Sequence, residues 1–350
     1  MKTISQLIIT MMICLFSIQA WAQSGKLFNT DNQLSSNLAT QVFQDKSGFI
    51  WIATRNGLNT YDGYHITIIK KDMSNFLGLN SNYINSIAQD EKEHILLGTN
   101  NSLLEFTGSE FLKIPMLDSK GEELATYVKQ VYPLKNKDVA VATSGYGIMI
   151  KKKDAQECHA MKGEVEKLKY IHKLLEDKRG RLWIITEDGK LYRKETNDRV
   201  TSHFAGTEGV GAQDIQQDAL GNIYLASKNQ GVHLLRAGSN VFTRISSIGN
   251  LPIDNIYISR NNKLYIGSDG LGIYVYDPQT GFLQDNPLFS RLVNLAKRKV
   301  TSIIEDNQGD IWVSMLQKGV FMQSNIKNDF NYMGFRLGNR NVIGENCVTS

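Results

Sequence analysis

The sequence has few of the residues from which compact catalytic and metal sites are built. Among 350 residues there are three cysteines and six histidines. Cys14, Cys158 and Cys347 each stand alone, and no Cys or His pair has the short spacing of a zinc site. The histidines, which form no HExxH motif, are His65, His94, His159, His172, His203 and His233. We therefore expect no metal, no cofactor and no catalytic residue.

An excess of charge of one sign is also missing. The chain has 39 basic and 35 acidic side chains, a net charge of +4. The densest basic run is Lys151-Lys152-Lys153, which is typical of a solvated strand end. Without a basic tract or a clustered arginine face, we expect no nucleic-acid partner.

Long apolar runs are absent after the first 22 residues. Lys2 precedes an apolar stretch over residues 4–18, and Ala20-Trp21-Ala22 is an A-x-A cleavage pattern. The stretch is short for a membrane span. We expect residues 1–22 to be a signal peptide cleaved after Ala22, which makes the protein periplasmic; an uncleaved N-terminal anchor is the alternative.

Three tryptophans remain beyond this leader, and all three occupy the same place in one repeated motif. Trp51, Trp183 and Trp312 each follow an aspartate by six residues and a glycine by three. Aligning the whole chain on this position gives seven copies, spaced 41–47 residues apart, with Trp51, Leu96, Ala140, Trp183, Tyr224, Tyr265 and Trp312. A period of this length indicates a repeat protein.

Each copy contains four short strands separated by turn residues, such as the type I turn that Asp45 and Gly48 predict. Four antiparallel strands every 41–47 residues are typical of a propeller blade. The prediction is an all-β, seven-bladed β-propeller of four-stranded antiparallel blades over residues 23–330. The segment beginning at Lys26 would supply an outer strand to the seventh blade. Residues 331–350 would be a linker and the start of a further blade or second propeller.

The aromatic position of the repeat is interpreted as packing between blades, not as a platform for a ligand. Two residues after it stands a small residue in six of seven copies, for example Ala53 and Gly98. We expect these small residues to face inward, where strands crowd around the central axis.

Residues 34–63 (LSSNLATQVFQDKSGFIWIATRNGLNTYDG) closely resemble the two-component regulator propeller repeat. The resemblance extends over residues 27–323 and is most specific in the first, fourth and seventh copies. It implies the periplasmic sensor region of a Bacteroides-type hybrid two-component system. In that family two propellers lead to a β-domain, a membrane helix, a histidine kinase, receiver and DNA-binding domains. This chain carries no kinase motif, so we expect no enzyme activity.

The loops between the second and third strands of each blade differ from copy to copy, unlike the rest of the repeat. Variation on a shared scaffold indicates the face where specificity lies. The predicted ligand-binding residues on this face are Arg55, Asn56, Asn100, Tyr146, Glu187, Asn229, Asp269 and Lys318. Tyr146 is the only aromatic side chain among these loop positions, which is a thin supply for sugar recognition.

The leading hypothesis is a non-catalytic sensor propeller that binds an oligosaccharide, the ligand class that the resemblance implies. Two alternatives remain: a propeller-fold lyase or hydrolase, and a periplasmic interaction scaffold. A homodimer or further domains of the full-length sensor are expected as protein partners, and contact with the membrane only through segments that this chain lacks.

Overall fold

The computed structural model describes residues 25–32, 34–71, 78–285 and 297–325. The predicted signal peptide, residues 1–22, and the predicted start of a further repeat, residues 331–350, lie outside these ranges. Among the described residues, no helix is long and apolar enough to cross a membrane.

The described chain forms the predicted seven-bladed propeller, in which each blade contains four antiparallel strands. The first strands contact one another around the axis; they are β2 (Ala39–Gln44), β6 (Ile84–Gln89), β11 (Val128–Pro133), β15 (Ile171–Glu176), β19 (Ala212–Gln217), β23 (Ile253–Ile258) and β27 (Val300–Glu305). The second strands, which contain the aromatic position, are β3 (Ile50–Thr54), β7 (Ile95–Thr99), β12 (Val139–Thr143), β16 (Leu182–Thr186), β20 (Ile223–Ser227), β24 (Leu264–Ser268) and β28 (Ile311–Met315).

The outer half of each blade is shorter. The third strands are β4 (Gly57–Tyr61), β8 (Leu103–Phe106), β13 (Ile148–Lys151), β17 (Leu191–Lys194), β21 (Gly231–Leu235), β25 (Ile273–Tyr276) and β29 (Gly319–Gln323). The outermost strands of blades 1 to 6 are β5 (Ile66–Ile69), β9 (Phe111–Ile114), β14 (Cys158–Ala160), β18 (Val200–Thr201), β22 (Phe242–Arg244) and β26 (Leu283–Asp285). Blade 3 carries an additional strand, β10 (Met116–Leu117), parallel to β14. Short 3-10 turns lie at Thr30–Asn32, Glu164–Lys167 and Ser246–Ile248.

The N-terminal strand β1 (Gly25–Phe28) closes the ring, as the sequence predicts. It pairs antiparallel with β29, from Gly25 opposite Gln323 to Phe28 opposite Val320. The seventh blade is therefore built from both ends of the described chain, which covers the edge that β29 would otherwise expose.

The tryptophans are buried between blades, which confirms the packing interpretation. Trp51, Trp183 and Trp312 are 6%, 0% and 2% exposed. Each indole Nε1 donates to Oδ2 of the aspartate six residues earlier, at 2.7, 3.0 and 2.8 Å. The other oxygen of that aspartate accepts the amide N–H four residues after it. The fixed Asp–Trp spacing thus joins a turn to a core side chain.

The small residues two positions later do not face the axis, so that prediction was wrong. A Cβ on Gly98 would lie 2.5 Å from Cγ1 of Val128, on the first strand of the next blade. A Cβ on Gly267 would likewise lie 2.7 Å from Cγ1 of Val300. The second strand is one layer away from the axis, and its small residues allow the neighbouring blade to approach closely.

We expect Gly98→Ala to lower the free energy of unfolding by about 1–3 kcal/mol, because the added methyl overlaps the buried Val128. Chemical denaturation would measure the loss. Gly211→Ala is the control, since its Cβ would meet nothing within 4 Å, and it should change stability by less than about 1 kcal/mol. Equal effects of both variants would contradict the close approach.

Candidate functional site

The loops between second and third strands emerge at the same end of the propeller as the connections between blades. The amide N–H of Arg55 donates to the carbonyl oxygen of Leu38 at 3.0 Å, and that of Gly57 to Asn82 at 2.7 Å. The same contact recurs where Ser144 donates to Tyr127 at 3.0 Å. We call this end the loop face; it is the predicted ligand-binding face.

All eight predicted ligand-binding residues are exposed on the loop face, but they are spread around the ring. Across the described chain, no two of the eight bond to each other. Four have side-chain contacts with other residues of this face, and these are Arg55, Asn100, Glu187 and Asp269. The remaining four contribute exposed side chains to surface turns, and these are Asn56, Tyr146, Asn229 and Lys318.

Sequence reasoning missed the main aromatic residues of the loop face. Tyr83, Tyr127 and Tyr170 each stand one residue before the first strand of a blade, at equivalent repeat positions. Tyr83 and Tyr127 meet edge-to-face with ring centroids 6.0 Å apart, and Tyr170 is 59% exposed. Tyr146 is therefore one of several aromatic residues on the loop face, which has more aromatic side chains than the loops between second and third strands alone provide.

Two cations and an acid extend this pair of rings into a continuous group, which we call the mouth arc: Arg55, Tyr83, Tyr127, Lys129 and Glu187. The Arg55 guanidinium carbon lies 5.4 Å from the centre of the Tyr83 ring, and Lys129 Nζ lies 4.8 Å from that of Tyr127. Lys129 Nζ is also 3.4 Å from Glu187 Oε1. The mouth arc therefore spans blades 1 to 4.

Burial and the neighbouring Tyr83 raise the pKa of Tyr127 well above its usual value. Its hydroxyl accordingly stays protonated and donates to Asn85 Oδ1 at 2.8 Å. The mouth arc thus presents neutral aromatic rings flanked by fixed charges, a combination that suits a polar ligand with apolar faces.

The mouth arc opens onto an axial channel whose lining is set by a repeated β-bulge. In every blade the register between first and second strands shifts at the second residue of the first strand. A bulge redirects the side chain it carries. All seven bulged residues are polar and line one cavity of about 420 Å³, and they are Thr40, Asn85, Lys129, His172, Gln213, Asp254 and Thr301.

The residue after each bulge forms a hydrogen bond or an ion pair with the first strand of the next blade. The first strand of each sheet has an unpaired edge toward the channel, and its N–H groups need acceptors. In five blades the side-chain oxygen of this residue accepts a main-chain N–H from the first strand of the next blade at 2.6–3.5 Å, and the accepting residues are Gln41, Ser86, Gln130, Asp214 and Ser302. In the other two blades Lys173 pairs with Asp214 and Asn255 donates to the carbonyl of Val300. The residues after the bulges therefore have a structural role, and the ring of seven bulged residues remains available to contact a ligand.

Opposite the mouth arc, Lys299 Nζ lies 2.5 Å from Asp254 Oδ2 and 3.1 Å from Asp269 Oδ2. Burial raises the pKa of Asp254 despite this partner. Burial also lowers the pKa of His172, so its ring is neutral at pH 7. The cations of the channel wall are therefore lysines.

Comparisons with known proteins agree with the repeat. The family model described as two component regulator propeller matches residues 33–56 and 294–317. The chain carries two component regulator propeller repeats. The matched segments cover the first two strands of blades 1 and 7. None of the curated proteins compared matches this sequence.

Solved structures share the propeller fold at low sequence identity. The extracellular domain of the hybrid two component system BT3049 from B. thetaiotaomicron has a TM-score of 0.76 at 22% identity, over 87% of this chain and 42% of that one. The extracellular domain of the system BT4673 from the same organism has a TM-score of 0.72 at 16% identity, over 88% and 44%. This chain therefore spans less than half the length of those two structures.

Virginiamycin B lyase from Staphylococcus aureus has a TM-score of 0.65 at 12% identity, over 87% of this chain and 99% of that one. Its fold is thus shared by an enzyme, and the fold alone does not decide between sensing and catalysis.

Proposed function

We propose that this chain is the ligand-sensing propeller of an exported two-component sensor, and that its ligand is an oligosaccharide bound at the mouth arc. The proposal depends on one observation above all: two tyrosine rings flanked by Arg55, Lys129 and Glu187 at the open end of a polar channel. Sugar rings present apolar faces to aromatic side chains and hydroxyl groups to charged and amide side chains.

The two Bacteroides structures support the sensor assignment, since both are extracellular domains of two-component systems with this fold. The family match supports it independently, because it rests on the repeat sequence. A ligand that bridges several blades could signal only by favouring one arrangement of the sensor over another. The mouth arc spans four blades and is suited to such a ligand. We propose that no catalysis accompanies binding.

Binding should depend on Tyr83. Against a panel of oligosaccharides in a calorimeter, we expect saturable binding without turnover. Tyr83→Ala should weaken the affinity by about tenfold or more, because it removes a stacking surface. Tyr64→Ala is the matched control: Tyr64 is 87% exposed in the hairpin between β4 and β5, at the opposite end of blade 1.

The alternatives give different results in the same experiment. Product formation from a bound oligosaccharide would indicate an enzyme. Failure of every oligosaccharide to bind would contradict the proposed ligand class and favour a scaffold. Equal loss of affinity in Tyr83→Ala and Tyr64→Ala would show that the mouth arc is not the site.

A further inference from the structure

Three side chains with metal-binding donor atoms converge in blade 2, away from the loop face. Asp90 directly follows the first strand, His94 lies in the turn after it, and Glu105 is on the third strand β8. One donor atom from each lies within 4.8 Å of the others. Their spacing in the sequence gives no zinc motif, because the meander brings Glu105 back beside the turn.

The buried charges in this group do not balance. Asp90 and Glu105 are both at least 94% buried, at 6% and 5% exposure. The buried Lys151 of blade 3 has its Nζ 3.5 Å from Glu105 Oε1. Two carboxylates therefore face one ammonium, and buried charge without a partner is costly. A cation beside His94 would compensate the remaining negative charge.

Blade 2 also differs from blades 1, 4, 5 and 7 in the group that donates a hydrogen bond to the aspartate of the turn after the first strand. In blades 1, 4 and 7 an indole N–H donates to Oδ2 of this residue, and in blade 5 the Asn222 amide donates to Asp218. In blade 2 the aromatic position is Leu96, which has no donor. His94 Nδ1 lies 3.9 Å from Asp90 Oδ2, beyond hydrogen-bond distance.

The separations of the two carboxylates from His94 are close to those around a small transition-metal ion. Zinc bonds of about 2.0–2.1 Å at tetrahedral angles place two ligand atoms about 3.3–3.4 Å apart. His94 Nδ1 lies 3.3 Å from Glu105 Oε1, which matches that edge. A movement of about half an ångström would bring Asp90 to the same separation from His94. Since His94 is 30% exposed, water can reach the fourth position.

We propose that Asp90, His94 and Glu105 form a binding site for a divalent transition-metal ion of the zinc class, completed by water. The ion shares Glu105 with the Lys151 ammonium. The site lies in the seam between blades 2 and 3, so the ion would stabilise the folded chain. It is independent of the oligosaccharide site, because none of its residues belongs to the mouth arc.

The test is titration of the chelator-treated, full exported chain with zinc chloride, followed by calorimetry and by the shift in melting temperature. We expect one ion per chain and a rise in melting temperature. His94→Gln should weaken binding by roughly 100-fold, as expected for loss of one of three protein ligands. His159→Gln is the matched control, because His159 also contacts a glutamate, Glu157 at 2.8 Å, but is exposed and forms no three-residue donor group with the residues that the structure describes.

A second variant tests the site by gain of affinity, which misfolding cannot imitate. Lys151→Met removes the ammonium that competes for Glu105, so zinc should bind at least about tenfold more tightly. The proposal is overturned if the intact chain binds no zinc saturably, if His94→Gln binds as the intact chain does, or if Lys151→Met leaves the affinity unchanged. Equal loss in His94→Gln and His159→Gln would also overturn it.

Discussion

Replacement of Trp183 by alanine is expected to lower the free energy of unfolding by about 3–5 kcal/mol. The side chain is fully buried. Its ring lies 5.1 Å from that of Phe204 and 6.1 Å from that of Phe242, on the outer strand of blade 5. Removing the indole leaves a cavity between two blades that the rigid sheets cannot close. Urea denaturation of Trp183→Ala beside the unchanged chain would measure the loss.

The hydrogen bond of the indole can be separated from its volume by two phenylalanine variants. In Trp183→Phe, Oδ2 of Asp177 keeps a donor, since Arg181 Nε lies 2.7 Å away. In Trp312→Phe, Oδ2 of Asp306 loses the indole that donates to it at 2.8 Å. The second variant should therefore cost about 1–3 kcal/mol more than the first. Equal costs would mean that the Asp–Trp bond contributes little beyond packing.

Removal of strand β1, so that the chain begins at Leu34, should have an effect at least as large. Phe28 is buried and stacks on Trp312 at 5.3 Å between ring centroids. Loss of that side chain alone should cost about 3–5 kcal/mol. The shortened chain would also expose the edge of β29, which favours pairing between molecules. Denaturation and light scattering after size-exclusion chromatography would report both effects.

Phe28→Ala in the full chain distinguishes the two contributions. It should lose comparable stability but remain in the same oligomeric state as the unchanged chain, because β29 stays paired with β1. A shortened chain as stable and as monodisperse as the full one would contradict the role of β1 as the closing strand.

The repeat predicted the fold because its anchors are packing positions. The aromatic position occurs once in each blade and so gives the number of blades. The Asp–Trp pair fixes where the turn lies relative to the second strand. Even the weakest copy obeys the packing rule. Ala140 in blade 3 is paired across the sheet with Tyr132, so an aromatic side chain of the first strand lies beside the small residue. That pairing is not visible in a column of aligned second-strand residues.

The candidate site was harder to predict, because its residues come from positions that look structural. The polar ring of the channel depends on a bulge, and a bulge has no composition signature in strands as varied as these. The tyrosines before the first strands could have been found: Tyr83, Tyr127 and Tyr170 occupy one column of the repeat. The prediction considered only the loops after the second strand and therefore missed them.

The pairing of β1 with β29 also determines how the propeller responds to mechanical force. Gly25 lies opposite Gln323, so the described chain enters and leaves the seventh blade side by side. A pull applied between these two points acts across the strands and opens the ladder one residue pair at a time, beginning at Gly25. It does not load all the hydrogen bonds together, as a pull along the strands would. Strand β1 therefore contributes to stability through its pairing and packing but yields easily to a force applied at this end of the blade.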